Sequence, residues 1–334
     1  MSLKKLNSLI MVAAIAMAAI SCKKDEDTTV YPSLSGLHFD CPLFVAQEQV
    51  VTMTPKGVVH PEGEEVGYYW KVVPSMSKAD TIEVFTHKFS DTLATYTVTC
   101  YAFASGYSGS TYSIDVSVVK GGLDQSITKT GIKSIDPSVT VGTDTYYYKE
   151  IAGLEWFRNN LSDRSSGCAY VNEDVTSDVF GRYYSYEEAM TACPEGWRLP
   201  TEQDWLALCE SVGAAPVEEY STVENVAAKL FANAEFNGDP MLEYWPVVGD
   251  ITNEAGLSLI PVGYSNLGEK NASGKYPSAY FQGMNEYAVY WTADTVEDNE
   301  SMAYYRYLIG DQPDFYVGKG DKNSFGASVR CVRD

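Results

Sequence analysis

The sequence predicts an all-β sandwich over residues 31–120, followed by an α+β domain over residues 121–334. Three observations support this prediction. The first part holds short runs that alternate polar with apolar or aromatic residues, without a helical period. The second part holds one hairpin pattern and then apolar residues at helical spacing. The length of 334 residues also suits two domains.

The sandwich is predicted from three segments rich in β-branched and aromatic residues, namely 65–73, 95–101 and 112–118. Residues 95–101 alternate hydroxyl with apolar or aromatic side chains, which indicates a strand with two different faces. Proline and glycine separate the segments, as expected for the turns of a β-sandwich.

In the second domain, residues 144–161 are predicted to form a hairpin that turns at Ala152 and Gly153. Helices are predicted to begin after Ser185, Thr201 and Ser221, because hydroxyl side chains cap helix N-termini. A glutamate follows the first and third of these caps at the third position, the spacing of a capping box. The apolar face of the second helix comprises Trp205, Leu208, Cys209 and Val212. We expect each helix to pack on a sheet.

Residues 1–21 are predicted to be a targeting segment, with two lysines before an apolar run that is too short to span a bilayer. Residues 19–22 resemble a bacterial lipoprotein cleavage box, which implies that Cys22 is lipidated. The charged tether at 22–30 resembles the export signal of Bacteroides-type surface lipoproteins. We expect a lipid-anchored outer-membrane protein that is exposed on the cell surface. The alternatives are a secreted protein cut nearby and a plain flexible linker.

The net charge of −21 argues against a nucleic-acid partner, because a phosphate backbone would be repelled. The three histidines, His38, His60 and His87, are scattered and predict no metal site. Residues 123–334 contain no histidine, and no nucleophile elbow or phosphate loop occurs. The sequence thus predicts no cofactor, no metal and no catalytic residue, although a carboxylate pair acting in acid–base catalysis stays open.

The order of Cys41, Trp70 and Cys100 resembles the core of immunoglobulin-like domains, in which a tryptophan packs on a disulfide between two sheets. Residues 91–98 are similar to the approach to a late core strand in immunoglobulin-like and polycystic-kidney-disease-type domains. The resemblance implies a Cys41–Cys100 disulfide and a spacer role for this domain.

Five strings in the second domain resemble the Fibrobacter succinogenes major paralogous domain over roughly residues 140–334. They are residues 155–161, 193–205, 261–264, 290–291 and 328–334. The most specific string is Cys-Pro-Glu-Gly-Trp-Arg-Leu-Pro-Thr from Cys193. The resemblance implies a fold similar to C-type lectins and formylglycine-generating enzymes, and with it a Cys193–Cys331 disulfide. With Cys22 lipidated, six of the seven cysteines remain, and Cys168–Cys209 is the further predicted pair.

Aromatic residues lie among glycine, asparagine and serine between residues 236 and 290. Rigid aromatic rings beside adaptable polar groups suit recognition surfaces. The predicted ligand-binding residues are Trp245, Tyr264, Tyr276 and Tyr280. The alternative is that such rings pin a long loop onto the sheet. The tripeptide at 312–314 matches a calcium-dependent lectin motif, but its usual Trp-Asn-Asp companion does not follow, and we interpret it as chance.

These features predict a non-catalytic recognition or adhesion protein that binds a glycan or a surface protein. Two alternatives belong to other classes. The first is an enzyme, or an enzyme accessory subunit, of the formylglycine-generating group, which a deep pocket with clustered carboxylates of raised pKa would favour. The second is a purely structural surface protein, which burial of the aromatic residues at 236–290 would favour.

Overall fold

The computed structural model describes residues 31–75, 81–242 and 250–334, so the segment that holds Cys22 lies outside the described residues. The chain divides into two compact units. The N-terminal unit comprises Met1–Cys41, Val50–Lys88 and Thr95–Val116. The C-terminal unit comprises Pro42–Gln49, Phe89–Ala94 and Ser117–Asp334. The units interleave along the chain, and the predicted domain limits of 31–120 and 121–334 stay predictions.

Strand and helix bounds are as follows. The first strands are β1 (Phe44–Ala46), β2 (Val50–Met53), β3 (Gly67–Val73), β4 (Phe85–Lys88), β5 (Thr95–Phe103), β6 (Ser110–Val119), β7 (Ile127–Thr128), β8 (Ser138–Val141), β9 (Asp144–Ile151) and β10 (Leu154–Phe157). The later strands are β11 (Glu235–Phe236), β12 (Asp239–Pro240), β13 (Val262–Asn266), β14 (Tyr280–Met284), β15 (Tyr287–Thr295), β16 (Met302–Ile309), β17 (Phe315–Asp321), β18 (Phe325–Gly326) and β19 (Val332–Arg333). The α-helices are α1 (Ser177–Phe180), α2 (Tyr186–Ala192), α3 (Glu202–Ser211) and α4 (Ala227–Leu230).

The N-terminal unit is built from strands, and all three segments predicted to be strands are confirmed. Strand β3 pairs antiparallel with β5, and β2 pairs antiparallel with β4. Trp70 of β3 is fully buried and stacks on Phe85 of β4, with ring centroids 5.3 Å apart. Its indole N–H donates to the carbonyl oxygen of Ile82 at 3.0 Å. The indole therefore contacts both pairs of strands.

The C-terminal unit contains three sheets in its described part. Strands β19-β10-β9-β8 form one sheet and β12-β11-β7 form another. The largest sheet has the order β14-β13-β15-β16-β17, and β18 adds to it by pairing with β13. Its neighbours are antiparallel except for β13 and β15, which run parallel. This sheet carries the candidate site described below.

Local sequence signals for the hairpin and two helices are confirmed. Strands β9 and β10 form the predicted hairpin, and Ala152 and Gly153 turn it with φ angles of 52° and 83°. Ser185 and Glu188 form a complete capping box at the start of α2. Thr201 caps α3 in the same way, with Asp204 as its partner. The predicted apolar face of α3 is buried.

The predicted helix after Ser221 is wrong. Only Ala227–Leu230 is helical there, and no side chain caps it. Val223 instead forms a β-bridge with Phe315 of β17, and Asn225 has a positive φ of 56°. The side chain of Asp314 accepts the Asn225 N–H at 2.9 Å. These tertiary contacts replace the first turn that the capping pattern predicted.

The predicted α+β, C-type-lectin-like class of the C-terminal part is also wrong, because regular structure in the described residues is mostly strand, at 38% strand against 11% helix. The capped helices exist but are short, at seven residues for α2 and ten for α3. The aromatic region beyond residue 280, by contrast, forms the long strands β15, β16 and β17. An all-β architecture that also carries short helices describes the fold.

One charged pair lies within the core of the C-terminal unit. The Glu202 carboxylate, at the start of α3, receives two hydrogen bonds from the Arg306 guanidinium of β16, and neither side chain is exposed. The Tyr220 N–H also donates to Glu202, at 2.9 Å. A buried ion pair keeps its charges only when such hydrogen bonds offset the cost of desolvation. This pair therefore fixes α3 against the largest sheet.

The Cys193–Cys331 disulfide is confirmed; it joins the residue after α2 to the residue before β19. The structure does not form the other two predicted disulfides. Cys168 is buried beside Tyr183, whereas Cys209 is buried in another cluster beside Trp205, so the two thiols belong to different parts of the core. Burial raises the pKa of both thiols to about 12, which keeps them protonated.

The predicted Cys41–Cys100 pair is likewise absent as a disulfide. Cys100 is fully buried on β5, where it lies opposite Trp70 in the strand register. Cys41 is only half-buried and precedes β1. The indole of Trp70 therefore packs in this core without the disulfide that the resemblance implied.

None of the described helices combines the length and the apolar composition that a membrane span requires.

Candidate functional site

Six half-buried aromatic side chains lie together on one face of the largest sheet of the C-terminal unit, and we call them the aromatic face. They are Tyr264, Tyr287, Tyr305, Tyr307, Tyr316 and Phe325. They come from five strands, β13, β15, β16, β17 and β18. Their rings form one unbroken series of contacts, so they act as a single surface.

The period of two along a strand explains why Tyr305 and Tyr307 share this face. Both point to the same side of β16, while Arg306 between them points into the core on the other side. The register then places Tyr307 opposite Tyr316 of β17 and Trp291 of β15 opposite Tyr305. Tyrosines that are distant in the sequence thereby become neighbours.

Glycines make room for the rings. Gly318 lies opposite Tyr305 in the register, and a methyl group added at Gly318 would overlap the Tyr305 ring. A methyl group at Gly283 would likewise overlap the ring of Tyr287. The rings of Tyr305 and Tyr287 therefore lie partly over glycine backbone.

The ring geometry is that of favourable aromatic pairs. Tyr305 stacks on Phe325 at 4.6 Å, and Tyr307 stacks on Tyr316 at 5.2 Å. Tyr264 contacts Phe325 at 5.6 Å and meets Tyr287 edge-on at 6.0 Å. Each pair contributes about 0.5–1.5 kcal/mol beyond simple burial. The rings are thus held in place before any ligand arrives.

Polar groups accompany the rings. Burial, together with the nearby phenols of Tyr307 and Tyr264, raises the pKa of Tyr305 to about 12. Burial and then the nearby Tyr287 raise the pKa of Tyr264. These phenols are therefore neutral at physiological pH, and their hydroxyl groups can both donate and accept hydrogen bonds. The exposed amide of Gln282 lies opposite Tyr264 on β14.

The structure places the four predicted ligand-binding residues differently from one another. Tyr264 belongs to the aromatic face. Tyr280 is 63% exposed on the edge strand β14 but takes no part in the series of ring contacts. Tyr276 is only 3% exposed. Trp245 lies outside the described residues.

Tyr276 fits the alternative interpretation, in which an aromatic ring holds a loop in place rather than binding a ligand. Its hydroxyl donates to the Glu188 carboxylate at 2.9 Å. The Lys270 ammonium pairs with the same carboxylate at 2.9 Å and lies 5.2 Å from the centre of the Tyr276 ring. The loop between β13 and β14 is thereby fastened to the first turn of α2. Tyr276 is a structural residue in this arrangement.

A second feature of the C-terminal unit is a polar cavity of about 730 Å³. Its lining includes Asp144, Ser162, Arg164, Asp178 and Arg330. Two of its carboxylates have partners: Asp144 accepts from the Ser162 hydroxyl at 2.8 Å, and Asp178 pairs with Arg164 at 2.7 Å. These contacts hold the two carboxylates in the cavity wall.

The tripeptide at 312–314 lies in the connection between β16 and β17. Asp314 there accepts the Asn225 N–H, a structural role. Within residues 31–75, 81–242 and 250–334, no group of three or more histidine, cysteine, aspartate or glutamate side chains is placed to hold a metal ion.

We predict a specific pH dependence from Glu188, which joins α2 to the pinned loop. Burial would raise its pKa, but hydrogen bonds from Lys270 and from the Ser185 N–H outweigh burial and lower the pKa below its ordinary value of 4.5. A lowered folded-state pKa stabilises the protein above the unfolded-state pKa, and this stability is lost as the pH falls through the folded-state value. At pH 7, Glu188→Gln should lower the free energy of unfolding by about 2 kcal/mol.

Urea unfolding at pH 7 and pH 3 measures this effect. The difference between wild type and Glu188→Gln should shrink at pH 3, because pH 3 lies below the ordinary glutamate pKa of 4.5 and the stability that the ionised carboxylate contributes is by then partly lost. The neighbouring Glu187 is exposed, and Glu187→Gln should change little at either pH. A difference between wild type and Glu188→Gln that is equal at both pH values would show that the ionised carboxylate contributes nothing.

Comparison with known proteins places this chain in a family. No curated protein matches it. The family model named Fibrobacter succinogenes major domain matches residues 146–333. This range covers more than half of the 334 residues and includes both the Cys193–Cys331 disulfide and the aromatic face. The chain belongs to the Fibrobacter succinogenes major domain family.

Proposed function

We propose that this protein is a non-catalytic recognition protein that binds a glycan on the aromatic face. The observation that carries the proposal is the unbroken series of six half-buried rings in contact on one face of a sheet. Sugar rings have flat apolar faces edged by hydroxyl groups. Aromatic rings edged by phenol and amide groups complement both features of a sugar.

The rigidity of the surface supports the same proposal. Tyr305, Tyr307 and Tyr316 stand on β16 and β17, which pair over seven consecutive register positions. A site on paired strands loses less conformational entropy on binding than a site on a loop. The Tyr305 ring lies over the backbone of Gly318, and a ring placed in this way can receive the flat face of a sugar. An extended glycan chain fits such a surface.

For the location of the protein, we propose that a lipid on Cys22 anchors it to the outer membrane, facing outwards. The proposal rests on the small residues before Cys22 and the charged tether after it. The N-terminal unit would then serve as a spacer. Anchoring by acyl chains gains roughly 0.8 kcal/mol for each buried methylene.

The anchor is tested by fractionating cells that express Cys22→Ser. We expect this variant in the soluble fraction and the wild type in the membrane fraction, because only the wild type can carry the lipid. The adjacent substitution Ser21→Ala keeps the thiol and should leave the protein in the membrane fraction. Wild-type protein that is recovered soluble, or Cys22→Ser that stays with the membrane, would refute the anchor.

The glycan site is tested by binding the purified protein to a glycan array and then comparing two variants. Tyr307→Ala removes a ring from the aromatic face. Tyr304→Ala removes a half-buried ring from the opposite side of the same strand, where Tyr304 stacks on Tyr220 at 3.9 Å. We expect Tyr307→Ala to weaken binding roughly ten-fold and Tyr304→Ala to weaken it little, since truncating one central aromatic contact has this order of effect.

Equal binding by Tyr307→Ala and wild type would place the binding site elsewhere. Equal losses in both variants, accompanied by a lower melting temperature in both, would show a general effect on folding. Failure of the wild type to bind any glycan on the array would overturn the proposed function. In that case, the rings would be retained only for the packing of the sheet.

A further inference from the structure

One end of the aromatic face is bordered by acidic residues. Glu286 lies in the turn between β14 and β15, and Asp311 and Asp314 lie in the connection between β16 and β17. These two connections are adjacent, because the Gly310 N–H donates to the Glu286 carbonyl oxygen at 2.6 Å. Tyr287 also lies opposite Ile309 in the register. Three carboxylates therefore lie in the connections at the same end of these strands, which is the edge of the sheet meant below.

These carboxylates act on the rings themselves. After burial and Tyr287, Glu286 is the next group that raises the pKa of Tyr264. After burial, Asp314 is the main group that raises the pKa of Tyr316, and Asp311 contributes as well. Negative charge from these connections therefore acts on both Tyr264 and Tyr316.

No lysine or arginine occurs in residues 283–287 or 309–317, which form this edge. The nearest cation on β17 is Lys319, whose ammonium lies 5.4 Å from the centre of the Tyr304 ring, on the other side of the sheet. The charge at the edge is therefore not neutralised by its own segments. A bound ligand meets aromatic rings and carboxylates together.

We propose that the ligand of the aromatic face is an amine-bearing glycan, that is, a sugar chain with free protonated amino groups. This inference rests on the proposed function, because it takes glycan binding as given and assigns its charge. A protonated amine is attracted both by tyrosine ring faces and by carboxylates. Carboxylated or sulfated sugars are repelled by the same edge, and neutral sugars are neither attracted nor repelled by it.

The test compares three oligosaccharide probes with the full-length protein at low ionic strength. The probes are a glucosamine oligomer, the N-acetylglucosamine oligomer of equal length, and a sialylated oligosaccharide. We expect the glucosamine oligomer to bind roughly five-fold more tightly than the acetylated oligomer, which in turn binds more tightly than the sialylated probe. Raising the salt concentration to about 0.5 M should reduce the preference, because exposed charges are then screened.

Variants that each remove one carboxylate test whether this edge causes the preference for the glucosamine oligomer. Glu286→Gln and Asp311→Asn should each reduce the preference for the glucosamine oligomer about two-fold and leave binding of the acetylated oligomer unchanged. Glu195→Gln is the matched control, since Glu195 is exposed in the turn after α2 and lies outside the sheet edge. Its preference should equal that of the wild type.

Three results would overturn the inference. Equal affinity for the amine-bearing and acetylated oligomers would show that the amino groups do not contribute to binding. Tighter binding of the sialylated probe would show that the face prefers a negatively charged sugar. In both cases glycan binding itself would stand. Binding of none of the three probes, together with silence on the wider array, would overturn the proposed function and this inference with it.

Discussion

The C-terminal unit depends on the hydrogen bonds that the buried guanidinium of Arg330 donates. The guanidinium is fully buried, and its partners are neutral oxygens: Asn160 Oδ1 at 2.7 Å, Leu257 O at 2.8 Å, and Phe157 O and Ser258 O at 3.1 Å each. Burial lowers its pKa, and the hydrogen bonds to the charged group offset the cost of that burial. A single side chain thus joins the end of β10 to the segment before β13.

The residues on either side of Arg330 extend this connection. The Ser328 N–H donates to Val289 O of β15 at 3.0 Å, Cys331 is bonded to Cys193, and Val332 pairs with both Trp156 and Arg198. The C-terminal segment therefore links a central strand of the largest sheet to the hairpin sheet and to the end of α2. Because β15 lies between β13 and β16, the same segment holds the strands that carry the aromatic face.

The sequence predicts those parts of this structure that local rules determine. The helix caps at Ser185 and Thr201 and the turn at Ala152 need only residues a few positions apart, and all three are present. The equally local signal at Ser221 fails, because Arg306 donates to the Ser221 carbonyl and Val223 pairs with β17. Only the family resemblance, and no local rule, predicts the Cys193–Cys331 disulfide. The predicted α+β class is wrong because strands supply most of the regular structure.

The candidate site shows the same limit. Tyr264 stood out because it lies in an aromatic, polar segment, but its partners Tyr305, Tyr307, Tyr316 and Phe325 come from strands whose pairing no local pattern specifies. The alternation at Tyr305 and Tyr307 and the nearby glycines of β17 were the available signals.

Hydrogen exchange of Arg330→Lys tests the central claim most directly, because lysine keeps the charge but loses the planar set of donors. We predict that amide protection falls together in β10 and β15 and is unchanged in β3 and β5; a loss confined to amides beside residue 330, with β15 protected as in the wild type, would contradict it.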